Sequence, residues 1–192
     1  ELGIHLGMHY SGLFDIRAIV LHPDWAQVSA NGQRSDRYIC MTSEYDRKLL
    51  IPQMLEVIDK YDVDGFWVDG ECWAANPCWC DRCRKKFTQS TGIASIPLKE
   101  NDPHWREWLV FHRQLFFEHV QCYTDAVHQR KPGCLVCSNW MYTLRQPDAI
   151  TVPVDYLSGD CDYIWGCDRA AMESRYLDNR GMGWDLGVWV FT

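Results

Sequence analysis

A short apolar strand running straight into two acids separated by one glycine does most to restrict what this chain can fold into. Val63 to Val68 reads as that strand, and Asp69, Gly70 and Glu71 follow it directly. In parallel α/β folds chemistry collects just past the carboxyl ends of strands, where side chains leave the packed interior and face a cleft built from loops. Residues 69 and 71 share parity with Gly65 and Trp67, so an extended chain would put both acids and the indole on one surface. An aromatic face beside carboxylates suits a sugar: the ring covers C–H bonds while the acids handle hydroxyls and protons. The alternative is an N-cap Asp and a solvated Glu in an ordinary βα loop.

The rest of the chain alternates strand and helix around that stretch. Leu2 to Tyr10 alternates as a strand, and Pro23 to Thr42 is irregular, with a turn at Ser29–Gln33. Ser43 and Asp46 have capping-box spacing before a helix with Leu50, Met54, Val57, Ile58 and Tyr61 on one face. A short helix is expected near Asp81 to Ser90, and a long one after Asp102 and Pro103 as N-cap and N1, ending at Lys131-Pro132-Gly133. Further strands are expected at Cys134–Asn139, Val154–Asp160 and Asp185–Phe191, with a helix over Arg169–Asn179. Strands joined by helical crossovers predict a parallel sheet of the (β/α)8 TIM-barrel type. Only five strands are legible where a barrel has eight, so residues 1–192 are expected to form one partial barrel domain. The chain starts with Glu1 already in a strand, which suggests a removed leader or a piece of a larger protein.

The strand ends present His9, Asp69, Glu71, Asn139, Trp140, Asp160 and Phe191, whereas Asp64, Asp155 and Asp185 sit at the entering ends and are read as structural. Asp69, Glu71 and Asp160 are the candidate catalytic acids; glycoside hydrolysis needs two carboxyls flanking the scissile bond. His9, Trp67, Trp73, Asn139 and Trp140 are candidate sugar contacts. His5 and His9 lie about 13 Å apart along a strand, so one metal cannot use both; His5 is read as core. His112 and His119 in the long helix are read as surface or packing residues.

The chain has ten cysteines. Cys78, Cys80 and Cys83 form a C-x-C-x-x-C run that can wrap a tetrahedral zinc if Cys40 or Cys72 supplies a fourth thiolate, and such a closed site is structural. Free or disulfide-bonded cysteines are the other reading. A net charge of −7 disfavours nucleic acid, and no apolar run approaches the roughly 18 residues of a membrane span. Nucleotide-binding glycine loops and the G-x-S-x-G elbow are missing from the sequence. No organic cofactor is implied, and a carbohydrate is the expected partner; neither homo-oligomer formation nor compartment is fixed.

Gly7-Met8-His9-Tyr10-Ser11, then Glu44-Tyr45, Leu50-Ile51-Pro52-Gln53, Glu56, Tyr61 and Phe66-Trp67-Val68-Asp69-Gly70 resemble the pattern of α-L-fucosidases. The resemblance implies Asp69 as nucleophile of a retaining exo-glycosidase, with Glu71 or Asp160 as acid/base. From Asp69 onward the chain also resembles family forty-two β-galactosidases. There Gly70-Glu71 takes the place of an N-E pair carrying the acid/base, Cys78, Cys80 and Cys83 match three zinc ligands, and Phe87 matches a following aromatic. Gly70 departs from that pattern, and the region 188–192 lacks the second catalytic Glu of those enzymes. A β-galactosidase-like enzyme and a barrel that binds glycans without cleaving them are the alternatives.

Overall fold

In the computed structural model, which describes residues 3–71, 76–139 and 148–189, the strand carrying Asp69 lies in the middle of a parallel sheet. β4 (Gly65–Asp69) pairs on one side with β1 (Gly7–Ser11), His9 opposite Trp67 and Ser11 opposite Asp69. On its other side β5 (Leu135–Ser138) aligns Cys137 with Trp67 and Ser138 with Val68. A parallel bridge from Asn139 to Ser158 carries the sheet on to β6 (Leu157–Asp162), which pairs with β7 (Trp184–Trp189). The described sheet thus has five parallel strands in the order β1, β4, β5, β6, β7, part of a (β/α)8 barrel.

Helices α2 (Ile51–Tyr61), α3 (Asp81–Thr91), α4 (Trp105–Arg130) and α5 (Gly166–Asp178) make the crossovers that parallel pairing requires. The period of two in β4 sets which face is dry: Phe66 and Val68 lie buried under α2 and α4 with Met54, Ile58, Val120 and Val127. Trp67 and Asp69 alternate with them and face the other way. On that inner face Leu135 is 51 % exposed, as expected of a sheet that the described strands do not close.

Four local expectations are corrected. Pro23–Thr42 is not irregular: after α1 (Ile16–Leu21) it contains a 3-10 turn over Pro23–Trp25 and an antiparallel hairpin of β2 (Ala26–Val28) and β3 (Arg34–Ile39). Burial in the hairpin is confined to Ala26, Gln27 and Ile39, so most of β3 is polar and shows no apolar alternation. The turn at Ser29–Gln33 is where the sequence puts it. The second correction concerns the capping box. Asp46 opens a π-helical turn over Asp46–Leu50 and gives its carboxylate to His119 instead of the backbone. Likewise Asp102 receives Leu98 N–H and Lys99 N–H, and α4 starts later, behind His104 in the left-handed region at φ 67°. His5 is not core, its side chain being 89 % exposed beside Asp64.

Candidate active site

Asp69 ends β4 on the inner face, and its neighbours come from the strands on either side. The Asn139 amide nitrogen donates to Asp69 Oδ1 and to Asp160 Oδ2, at 2.8 Å each. An NH2 group carries two hydrogens about 120° apart, which sets the two carboxylate oxygens roughly 5 Å from one another. From the β1 side, His9 Nε2 lies 3.5 Å from Asp69 Oδ2, and the imidazole stacks on Trp67 with ring centroids 5.1 Å apart. Trp67 Nε1–H donates to Ser158 Oγ at 2.5 Å, and that hydroxyl donates in turn to Asp185. The register thus brings His9, Trp67, Asp69, Asn139 and Asp160 together. Asp69 is partly open and Asp160 is 8 % exposed. Ser11, Phe14, Tyr38, Asp69 and Gly70 line a cavity of about 310 Å³ at this end of the sheet.

Glu71 is placed differently, and the shared-parity expectation fails at Gly70. That glycine has φ +71°, a conformation open to glycine but strained for other residues, and it turns the chain out of the strand. Glu71 consequently enters the helix-facing layer and is fully buried. Its Oε1 receives His119 Nε2–H at 2.6 Å, and its Oε2 receives the hydroxyls of Tyr123 (2.9 Å) and Ser138 (2.5 Å). His119 Nδ1–H reaches Asp46 at 2.9 Å, so one buried imidazole stands between two carboxylates. Burial alone would depress its pKa, but the charges and hydrogen bonds of Asp46 and Glu71 outweigh that and raise it to about 10. Tyr123, buried beside the Glu71 carboxylate, is held well above the ordinary tyrosine pKa and remains a donor.

Sequence reasoning found Glu71 but missed its partners. His119 and Tyr123 sit one helical turn apart among apolar residues, a spacing that reads as packing unless a buried acid is known to face it. The fit around Glu71 is close: a Cβ at Gly12 would lie 2.4 Å from its Cγ. Gly12→Ala is therefore expected to destabilise the full-length protein by about 1–3 kcal/mol, measured by denaturant unfolding.

The four thiols Cys40, Cys78, Cys80 and Cys83 converge beside this end of the sheet, their sulfurs all within 4.8 Å of one another. Cys40 Sγ is 3.6 Å from Cys78, 3.6 Å from Cys80 and 3.5 Å from Cys83. Ligands bound at about 2.3 Å in a tetrahedron stand about 3.8 Å apart, so the donor set fits one metal ion. Val28 N–H donates to Cys78 Sγ and Cys83 N–H to Cys80 Sγ, which favours thiolates. His112 fixes the loop from behind: its Nδ1–H bonds Trp108 O and its Nε2 accepts Cys78 N–H, each at 2.9 Å. Burial depresses its pKa to about 4, keeping the ring in that neutral tautomer. The nine described cysteines form no disulfide. Of the remaining expectations, Cys72, Trp73, Trp140 and Phe191 lie outside the described residues. Asp64 and Asp155 serve as acceptors for Leu6 N–H and Val136 N–H at the entering ends, while Asp185 receives Ser158 on the inner face.

The solved structures that this partial barrel resembles include glycoside hydrolases. An α-L-fucosidase, isoenzyme 2 from Paenibacillus thiaminolyticus, superposes with TM-score 0.70 at 21 % identity, covering 97 % of this chain and 28 % of that one. A catalytic mutant of Gan42B, a GH42 β-galactosidase from G. stearothermophilus, gives TM-score 0.69 at 16 % identity over 92 % of this chain and 33 % of its own. A polyextremophilic β-galactosidase from the Antarctic haloarchaeon Halorubrum lacusprofundi gives 0.63 at 15 % identity, covering 83 % and 30 %. The chain thus spans about a third or less of these proteins, and the likeness is one of fold. No protein-family model matches the sequence, and no curated protein matches it either. No helix among the described residues is long and apolar enough to cross a membrane.

Proposed function

We propose that the protein is a retaining exo-glycosidase, with Asp69 as nucleophile and Asp160 as acid/base. The observation that carries this is the Asn139 amide shared by the two carboxylates. A shared donor of this kind is in keeping with the roughly 5–5.5 Å separation that lets one acid attack while the other protonates the leaving group. Asp69 would attack the anomeric carbon and form a glycosyl ester as Asp160 gives its proton to the departing oxygen. Water would then cleave the ester, with Asp160 taking a proton back. The stacked His9 and Trp67 pair beside Asp69 supplies a ring face for the sugar and an imidazole for a hydroxyl.

Asp160 is preferred to Glu71 because three donors engage Glu71 on the far side of the sheet from Asp69. The sequence pattern through Tyr10, Gln53 and Trp67-Val68-Asp69-Gly70 favours an α-L-fucosidase-like specificity over a β-galactosidase-like one. The cysteine cluster would hold zinc as a structural ion: with four thiolates no position is left for water or substrate, and the metal supplies no chemistry to the reaction.

The test is a panel of nitrophenyl glycosides hydrolysed by the full-length protein. Asp69→Ala should lower kcat/KM on the accepted sugar at least about 100-fold with the fold intact by circular dichroism. Undiminished turnover would end the assignment. Retained glycan binding without turnover by either protein would favour a glycan-binding barrel.

A further inference from the structure

We propose that the groove between the β2–β3 hairpin and the cysteine loop binds the leaving-group side of an oligosaccharide whose terminal ring sits at Asp69. This rests on the glycosidase reading above and adds to it a second sugar subsite. The groove has a volume of about 420 Å³, within the size range of small-ligand sites. Among the described residues, Tyr38 is the one common to this groove and to the smaller cavity beside Asp69. A chain leaving the catalytic acids along the cavity wall therefore passes Tyr38 and enters the groove.

The lining has the chemistry for pyranose rings. Tyr38, Trp79 and Pro77 supply apolar faces for C–H bonds, while Gln33, Ser35 and Asn76 bring amides and a hydroxyl for ring hydroxyls. The walls are also fixed in place, which limits the ordering cost of binding. On one side the hairpin is tied to the loop after β1: Ile39 N–H donates to Leu13 O at 2.9 Å, and Asp15 N–H to Arg37 O at 3.0 Å. That loop in turn meets the catalytic strand through Gly12 N–H and Asp69 O at 2.7 Å. On the other side Trp79 N–H donates to Val28 O at 2.7 Å, and Cys40, just past β3, joins the cysteines of the loop. The indole N–H of Trp79 is used by Pro97 O at 2.7 Å, so its contribution to the groove is a ring surface. The cysteine cluster thereby acquires a purpose: it clamps the two walls of a subsite at a set distance from Asp69.

The experiment compares the full-length protein with its Tyr38→Ala and Asn76→Ala variants on two substrates sharing the accepted terminal sugar, a nitrophenyl monoglycoside and a trisaccharide. Each variant should lose about fivefold more kcat/KM on the trisaccharide than on the monoglycoside, the scale of one lost hydrogen bond or ring contact. Equal losses on both would overturn the proposal. The Asp69→Asn protein, titrated calorimetrically with fucosylated and galactosylated trisaccharides, separates this inference from the reading it rests on. Binding that weakens in Asp69→Asn/Asn76→Ala supports the groove even if the wild-type protein cleaves nothing, and binding indifferent to Asn76 ends it even if the enzyme is active.

Discussion

Chelating the zinc proposed for the cysteine cluster should cost the full-length protein its ordered cysteine loop and several kcal/mol of stability. Structural zinc in small peptides contributes an apparent 10–16 kcal/mol, and a domain's whole stability is about 5–15 kcal/mol, so even half of the peptide value is decisive. The packing around the cluster says where the loss will appear. Trp79, Phe87, Trp108, Phe111 and Leu115 form a hydrophobic cluster of their own around Cys40, Cys78 and Cys83, separate from the main core. Trp79 stacks on Trp105 there at 6.2 Å and lies tilted against Trp108 at 5.8 Å by ring centroid. Without an ion, four thiolates at van der Waals range repel, and four thiols pack sulfurs with only weak hydrogen bonds between them. Purified protein should carry about one equivalent of zinc by elemental analysis. Its removal should shift tryptophan fluorescence and lower the unfolding midpoint, and adding zinc back should reverse both. Less than a tenth of an equivalent in protein purified without chelators, or an unfolding midpoint indifferent to chelation, would refute the metal.

The parallel alternation of strands and helices was legible because buried strands read as apolar runs and α2, α3 and α5 carry a helical period. The β2–β3 hairpin was not. Its pairing and the loop after β1 confer burial at Ala26, Gln27, Ile39 and Cys40, leaving Arg34, Ser35, Asp36 and Arg37 to look like a solvated loop. Spacing picked out Cys78, Cys80 and Cys83 as one cluster; only the folded chain chooses a fourth member, since Cys40 is far away in sequence and arrives through the hairpin. Asp69 and Asn139 were readable as strand ends, whereas Asp160, expected to end its strand, lies two residues before the end of β6 and is brought beside them by register. Glu71 shows where period-two reasoning stops. Parity holds only while the chain stays extended, and one glycine at φ +71° moved the second acid from the cleft face to the helix face.

That displaced acid leads to the other large effect: His119→Leu should destabilise the full-length protein by on the order of 3–5 kcal/mol near neutral pH. The substitution removes the cation from between two carboxylates, one of which, Glu71, is wholly buried, and an unpaired buried charge is costlier than the pair it leaves behind. The direction with pH follows from the raised pKa. A histidine at 6.5 when unfolded and about 10 when folded stabilises fully below pH 6.5, and this contribution fades as the pH climbs through 10. Between pH 7 and 10 the wild-type protein should therefore lose stability that the His119→Leu variant has already lost, so their unfolding free energies should converge. Tyr123, Ser138 and Asp46 face the same network and are unchanged in both proteins, which leaves the imidazole as the difference between the two curves. Adding Glu71→Met to His119→Leu should restore part of the stability, because the stranded carboxylate goes with it and an apolar side chain of similar length fills the space. Parallel pH curves for wild type and His119→Leu, or a double variant weaker than the single one by the sum of two independent losses, would show that the imidazole is not held as a cation between these acids.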